Sequence, residues 1–327
     1  MEFQVLMKYI LPLCLTTLLL ASCTKDITVK LPETEAKVVV EGIIETDGPP
    51  LILLTRTQGF FDPTSIASIA AAYISEAEVT VNDGFNTYTL NKICSDDLIN
   101  DSLLQIAAEL TGIDAGLLAQ ANICAWTNLD GTLLGVEGRT YSLNVVTDGK
   151  TLTSKSTIPN GIALDSLWFK LAEQNPNDDS LGYIWNRLQD PDTLGNAYRW
   201  FYKRLNNGPD GRPKDSRFIA PFFSAFEDKY INGLEFDFAA QRGTAPFSDA
   251  VDDDNEERGY FKRNDTVAVK FASMGIAEYR FYNTFYTNAS SQGDIFSNPA
   301  NIVSNINGGL GIWAGLATRY DTVICVP

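Results

Sequence analysis

Thr140-Tyr141-Ser142-Leu143-Asn144-Val145-Val146-Thr147-Asp148-Gly149-Lys150-Thr151-Leu152-Thr153-Ser154-Lys155-Ser156-Thr157-Ile158 is two β-type runs joined by an Asp-Gly step. β-branched and aromatic residues suit a pleated, half-buried surface, and Asp-Gly supplies the positive φ angles of a tight hairpin turn. The stretch predicts a hairpin. Upstream, similar runs recur at Lys37–Glu45, Leu51–Thr57, Ala77–Val81 and Thr87–Leu90, and Val81-Asn82-Asp83-Gly84-Phe85 places a second Asp-Gly between two of them. Short strands with regular Gly/Asp turns are the pattern of a sandwich. The chain is expected to be mainly β and to open with an Ig-like or transthyretin-like β-sandwich over 36–160.

Between the hairpins the text changes. Leu103, Ile106, Ala107 and Leu110 recur at helical spacing, followed by a second short run at Ala115–Ala121, which predicts a helical insertion over 96–125. Cys94 and Cys124 bracket it. Outside a reducing cytoplasm they are candidates for a disulfide, with separately buried thiols as the alternative. Cys325 is left over and reads as a buried strand thiol.

Beyond Ile158-Pro159-Asn160-Gly161 the composition shifts. Of 36 aromatic residues, 27 lie in 161–327 and seven between Thr24 and Asn160. A second, aromatic-rich β domain is expected over 161–327, with strands at Ile162–Leu171, Tyr183–Gln189, Ala197–Leu205, Gly233–Ala239, Thr266–Ala272 and Leu310–Thr318. A helix is expected over about 275–290. Tyr198, Trp200 and Tyr202 alternate along one strand face, with Arg199, Phe201 and Lys203 on the other. An exposed aromatic face could stack a sugar ring or a partner side chain, whereas half-buried strands ordinarily turn aromatics into the core.

The N-terminus reads as an address. Met7-Lys8 precedes an apolar run from Tyr9 to Leu20, shorter than the ~20 residues of a membrane-spanning helix. Residues 1–22 are expected to be a signal peptide. Leu20-Ala21-Ser22-Cys23 resembles the lipobox of bacterial lipoproteins, which makes Cys23 the lipidation site and 23–35 a tether. Two or more acyl chains hold a protein stably on a bilayer. Thr24 is not the Asp of an inner-membrane retention signal, and Lys25-Asp26 resembles a fragment of the surface-export signal of Bacteroidota lipoproteins.

Composition excludes several chemistries. The 327 residues contain no histidine, so imidazole-based hydrolysis and His-ligated metal sites are ruled out within this chain. A net charge of −16 disfavours nucleic acid as partner. Asp249, Asp252, Asp253, Asp254, Glu256 and Glu257 form an acid run. Asp252, Asp254 and Glu256 are its candidate cation ligands, but Glu257 stands where an EF-hand loop starting at Asp252 requires glycine. A solvated loop is expected, with no metal. Gly308-Gly309-Leu310-Gly311 lacks the Lys of a phosphate loop and leads into a strand-like run. No cofactor is called for. Asp-Ser/Thr-aliphatic triplets, among them Asp179-Ser180-Leu181 and Asp192-Thr193-Leu194, resemble the O-glycosylation acceptors of exported Bacteroidota proteins. Ser180 and Thr193 are the preferred candidates, against simple capping of strands and helices.

Val38-Val39-Val40-Glu41-Gly42-Ile43-Ile44, Gly48-Pro49-Pro50, Leu54-Thr55-Arg56-Thr57, Tyr141-Ser142-Leu143 and Asn305-Ile306-Asn307-Gly308-Gly309-Leu310-Gly311-Ile312 occur in that order. Together they resemble the Bacteroidota lipoproteins of domain-of-unknown-function family 4249. The resemblance implies an outer-membrane lipoprotein, often encoded beside TonB-dependent receptors, with no assigned catalytic residue. The expectation is a non-enzymatic, lipid-anchored accessory or binding protein, a partner of a TonB-dependent transporter in nutrient capture, taking a glycan or peptide ligand and possessing no catalytic residues. The rivals are a carboxylate-based cell-surface hydrolase of glycan or peptide and a purely structural envelope protein. Intact mass spectrometry is expected to give polypeptide plus lipid plus glycan; a mass equal to polypeptide plus lipid excludes the glycosylation.

Overall fold

The computed structural model describes residues 35–59, 65–98, 100–173, 179–209, 211–243, 257, 259–290 and 301–327. The expected signal peptide, Cys23 with most of the tether, and Asp252, Asp254 and Glu256 lie outside the described residues. Residues 36–327 form one compact unit, and the fold is mainly β.

The strands are β1 (Val38–Glu45), β2 (Leu51–Arg56), β3 (Glu78–Asn82), β4 (Thr87–Thr89), β5 (Asn91–Cys94), β6 (Cys124–Thr127), β7 (Thr140–Thr147) and β8 (Lys150–Thr157) in the first half. The second half adds β9 (Ser166–Leu171), β10 (Leu181–Gln189), β11 (Ala197–Arg204), β12 (Ala225–Glu227), β13 (Glu235–Ala240), β14 (Phe261–Lys262), β15 (Thr266–Met274) and β16 (Leu310–Ile324). Four helices are described: α1 (Ile66–Ala72), α2 (Asp101–Thr111), α3 (Ala115–Gln120) and α4 (Ile276–Ser290).

Both hairpins form as the turn chemistry requires. Thr147 pairs with Lys150 across Asp148 and Gly149, which sit at φ of 51° and 69°, the two positive angles of a type I′ turn. In the β3–β4 turn, Asp83 Oδ1 accepts from the backbone N–H groups of Phe85 and Asn86 at 2.9 and 2.7 Å, and Gly84 takes φ of 94°.

The order β12-β11-β15-β16-β1-β2-β6-β5 makes one eight-stranded sheet, in which the first described strand, β1, runs parallel to the last, β16. On one face it meets the sheet β4-β3-β7-β8 across a core built around Trp126, Tyr141 and Trp313. Farther along, the same face packs on the sheet around β10, through Phe169, Ile184, Tyr202, Phe261 and Val269. The expected sandwich is present. The eight-stranded sheet draws strands from both sides of the boundary expected at 160/161, and the first core likewise takes in Ile306, Trp313 and Ala317 from beyond it.

The insertion between β5 and β6 is helical, as predicted. Asn100 caps α2 by accepting from Leu103 N at 2.9 Å, and Gly112 ends it at φ of 72°. Of the expected stripe Ala107 packs, with Leu104, Ala108 and α3 residues, on Leu53, while Leu103, Ile106 and Leu110 are exposed. Cys94 and Cys124 face each other on β5 and β6 and are disulfide-bonded. Closing this loop stabilises by roughly 3 to 4 kcal/mol in the chain-entropy model.

Two glycines make the central strand pair. A Cβ on Gly42 would lie 2.7 Å from the Trp313 ring, and one on Gly311, at φ of 104°, would lie 1.9 Å from Val40 O. Gly311→Ala is expected to destabilise by roughly 3 kcal/mol or more, through overpacking and a left-handed backbone. Urea unfolding checks this; an unchanged midpoint would show that the parallel pair does not require the glycine.

Candidate functional site

Among the described residues the second face of the eight-stranded sheet carries no other sheet. Helix α4 covers it at one end, where Tyr279, Phe281 and Tyr282 pack over Ile312, Ala314, Leu316 and Phe201. At the other end lie α2 and α3, over Leu53 and Ala125. Lys203 of β11 reaches Glu109 of α2 at 2.5 Å. Alternation puts Glu41, Ile43 and Glu45 of β1 and Arg199, Phe201 and Lys203 of β11 on this face. Glu45 is ion-paired with Lys270 of β15.

Helix α4 is fastened to the sheet by a buried carboxylate. Ser156 Oγ donates to Glu278 Oε1 at 2.5 Å and accepts from Gly315 N at 2.8 Å. Burial pushes the Glu278 carboxyl upward, and its place in the first helical turn is the favourable one for a negative charge.

Arg199 lies beneath this helix. Its Cζ is 3.8 Å from the centre of the Tyr282 ring and 4.7 Å from that of Phe201, a cation–π arrangement. Nη2 donates to Tyr286 Oη at 2.5 Å, and Nε is buried with no hydrogen-bond partner. Burial pushes the Tyr282 hydroxyl up to about 12, opposed by Arg199 and reinforced by Glu41.

Glu41 combines two properties. It is exposed to solvent, yet desolvation by the surrounding protein raises its carboxyl above the usual range, with Arg199 pulling the other way. Tyr73, at the end of α1, is raised by burial and then by the Glu41 charge. Tyr73, Arg199 and Tyr282 are the groups that share its field.

Exposed rings lie beside the helix. Phe222 and Phe223, 61% and 52% exposed, lie 5.4 and 6.0 Å from the Tyr286 ring. Phe223 sits at φ of 59°, a conformation uncommon for a bulky residue. Chemically, this face brings together a planar cation, an exposed acid and several rings.

The residues predicted for stacking are elsewhere. Tyr198 and Tyr202 are buried and Trp200 is packed against the second-half cores. Tyr198 stacks on Phe271 at 5.4 Å and donates to Asp190 Oδ1 at 2.5 Å, and Tyr202 donates to Asn186 Oδ1 at 3.1 Å. They form core because the sheet around β10 covers that face. Thr193 is exposed in the β10–β11 connection, and Ser180 is half-buried ahead of β10. Of the acid run, Glu257 is described, and it pairs with Arg204 at 2.9 Å and with Lys214 at 3.3 Å. Among the described residues no group of His, Cys, Asp and Glu is arranged to hold a metal ion, and no helix is long and apolar enough to cross a membrane. Cys325 is buried, its thiol pushed up to about 12 by burial and Asp265. Sequence reasoning missed Glu41 and Arg199 as site residues. The available signal was a charge flanked by apolar or aromatic residues, Glu41 after Val40 and Arg199 between Tyr198 and Trp200.

Because the folded state disfavours ionised Glu41, the penalty is absent below the ordinary carboxyl value of about 4. It grows as pH rises toward the raised folded value and is complete above it. Glu41→Gln is therefore expected to be more stable than the wild type at pH 7, with the difference vanishing at acid pH. Urea unfolding at both pH values checks this; a variant less stable at pH 7 would reverse the sign assigned to Glu41.

No curated protein matches the chain. Among solved structures it is similar to a cycloalternan-degrading enzyme from Trueperella pyogenes, at 10% identity and a TM-score of 0.22, covering 86% of this chain and 34% of that one. The chain spans about a third of that enzyme's length, and a likeness at this level carries no argument. The family model of the domain of unknown function DUF4249 matches residues 24–320. The chain therefore belongs to the DUF4249 family.

Proposed function

We propose that the protein is a lipid-anchored, non-enzymatic binding protein of the outer membrane that binds its ligand on the helix-bearing face of the large sheet and serves a TonB-dependent transporter. The observation that carries the binding role is on that face: the Arg199 guanidinium, stacked on Tyr282 and Phe201 with no carboxylate paired to it among the described residues, shares it with the exposed Glu41. The lipobox-like Leu20-Ala21-Ser22-Cys23 supports the anchor, and the family resemblance supports the address.

The insertion supports a protein partner. Ile106 and Leu110 on α2 are 55% and 66% exposed, with Leu103 beside them. An apolar stripe of this kind on a helix is what a partner surface covers.

Affinity purification of the full chain from detergent-solubilised membranes is expected to bring down a β-barrel transporter. The Ile106→Glu/Leu110→Glu variant is expected to reduce that recovery tenfold or more, and Cys23→Ser to abolish labelling by an alkyne fatty acid. Recovery of the wild type without any transporter would overturn the partner role, and undiminished labelling of Cys23→Ser would overturn the anchor.

A further inference from the structure

The outer face of the β4-β3-β7-β8 sheet carries a concavity that is independent of the helix-bearing face. Alternation sends Val79, Val81, Leu143, Val145 and Leu152 into the first core and turns the intervening hydroxyl and amide side chains outward. Two neighbouring rungs across the sheet are polar. On one, Asn82 lies opposite Ser142 and Ser142 opposite Lys155. On the next, Asn144 lies opposite Thr153, which bridges to Asn307. These six residues line a trough of about 670 Å³, a volume within the range of small-ligand sites.

The trough is held in shape from both sides. Beyond β8, Asn305 accepts from Ser154 Oγ through its carbonyl at 2.7 Å. Its side chain accepts from Trp313 N at 2.8 Å and donates to Trp313 O at 2.7 Å. Toward β4, Asn82 Nδ2 donates to Thr87 Oγ1 and Asn82 Oδ1 accepts from Gly84 N, both at 2.9 Å. A preformed frame loses little ordering entropy when a ligand settles in it. The side chains of Ser142, Asn144, Thr153 and Asn307, by contrast, make no hydrogen bond among the described residues, so their donors and acceptors are available to a ligand in place of water.

The lining selects the ligand. An amide presents an acceptor beside a donor pair, and a hydroxyl both donates and accepts; sugar hydroxyl groups match both. Other classes fit less well. A cation would find no carboxylate, since no acid lines the trough. An anion would rest on Lys155 alone, against a net charge of −16. An apolar molecule would find no ring, and Leu143 beneath is 2% exposed. A peptide strand requires unpaired backbone groups, and those of the floor are used in the β3–β7 and β7–β8 ladders.

We infer that this trough binds a neutral oligosaccharide through its hydroxyl groups, with the Asn144 and Asn307 amides as central partners. The test is isothermal titration calorimetry of the full chain with maltohexaose, cellohexaose, mannohexaose and xylohexaose, neutral probes that differ in sugar and linkage. At least one is expected to bind. Asn144→Ala/Asn307→Ala is expected to weaken that binding tenfold or more, and Lys155→Met to weaken it less than threefold, with circular dichroism confirming that the variants are folded. Binding of none of the four, a smaller loss in the folded double variant, or a larger loss in Lys155→Met would overturn the assignment. If the double variant does not fold, Thr153→Trp, which fills the trough from an exposed position, decides in its place: abolished binding supports the site and retained binding overturns it.

Discussion

The parallel pairing of β1 with β16 is the contact on which the remaining architecture rests. Parallel neighbours need a crossover connection, and here the crossover is the chain from Leu51 to Gly309. β16 works on both edges: Leu310 to Leu316 pair with β1, and Ala317 to Ile324 pair with β15. The eight-stranded sheet is therefore joined across its middle by one strand. Trp313 on that strand fills the first core, donates from Nε1 to Tyr141 O at 3.0 Å, and has its backbone held by the Asn305 side chain at 2.7 and 2.8 Å. Gly42 and Gly311 are the positions that let the two strands and this ring come together.

From that joint follows the division of labour between the faces. One face is consumed by two smaller sheets and becomes core. The other is left to helices, which cover its ends. Groups from strands that are not neighbours meet there: β15 and β16 lie between Arg199 and Glu41, and β16 lies between Lys270 and Glu45. Such a juxtaposition cannot exist until the sheet is complete, which ties this face to the β1–β16 pair.

What was legible in the sequence was what is local. The Asp148-Gly149 turn carries its own φ requirements, and the second-half strands announce themselves by β-branched and aromatic runs, so both appear where expected. The helix of the insertion was legible but its buried face was not. Leu103, Ile106 and Leu110 satisfy helical periodicity as well as Leu104, Ala107 and Ala108 do, and only the neighbouring strand and helix select between the stripes. The alternation at Tyr198, Trp200 and Tyr202 correctly marked a strand, yet its exposure was decided by a sheet whose position is non-local. The short strands β5 and β6 flank the insertion with too few residues for a periodic signal. Glu41 and Arg199 were visible as isolated charges, but their meeting depends on strand order, which no local pattern encodes.

The charge arrangement sets Arg199 apart from several other cations of the sheet. This protein has an excess of acids, so a cation without an ion-pair partner does not reflect a shortage of carboxylates. Arg204 is buried and takes Asp215 through both Nε and Nη2, with Glu257 on Nη1. Lys214 has Asp265, and Arg319 has Glu137. At these positions the chain supplies the counter-charge. At Arg199 it supplies rings, a hydroxyl and a carboxyl whose ionisation burial opposes. Desolvating a cation without a paired anion is unfavourable, and cation–π contacts offset part of that cost. An ionised carboxylate beside it would offset more, and Glu41 is placed on the same face but outside ion-pair reach. The arrangement therefore holds the guanidinium against rings and a hydroxyl, with no carboxylate paired to it among the described residues.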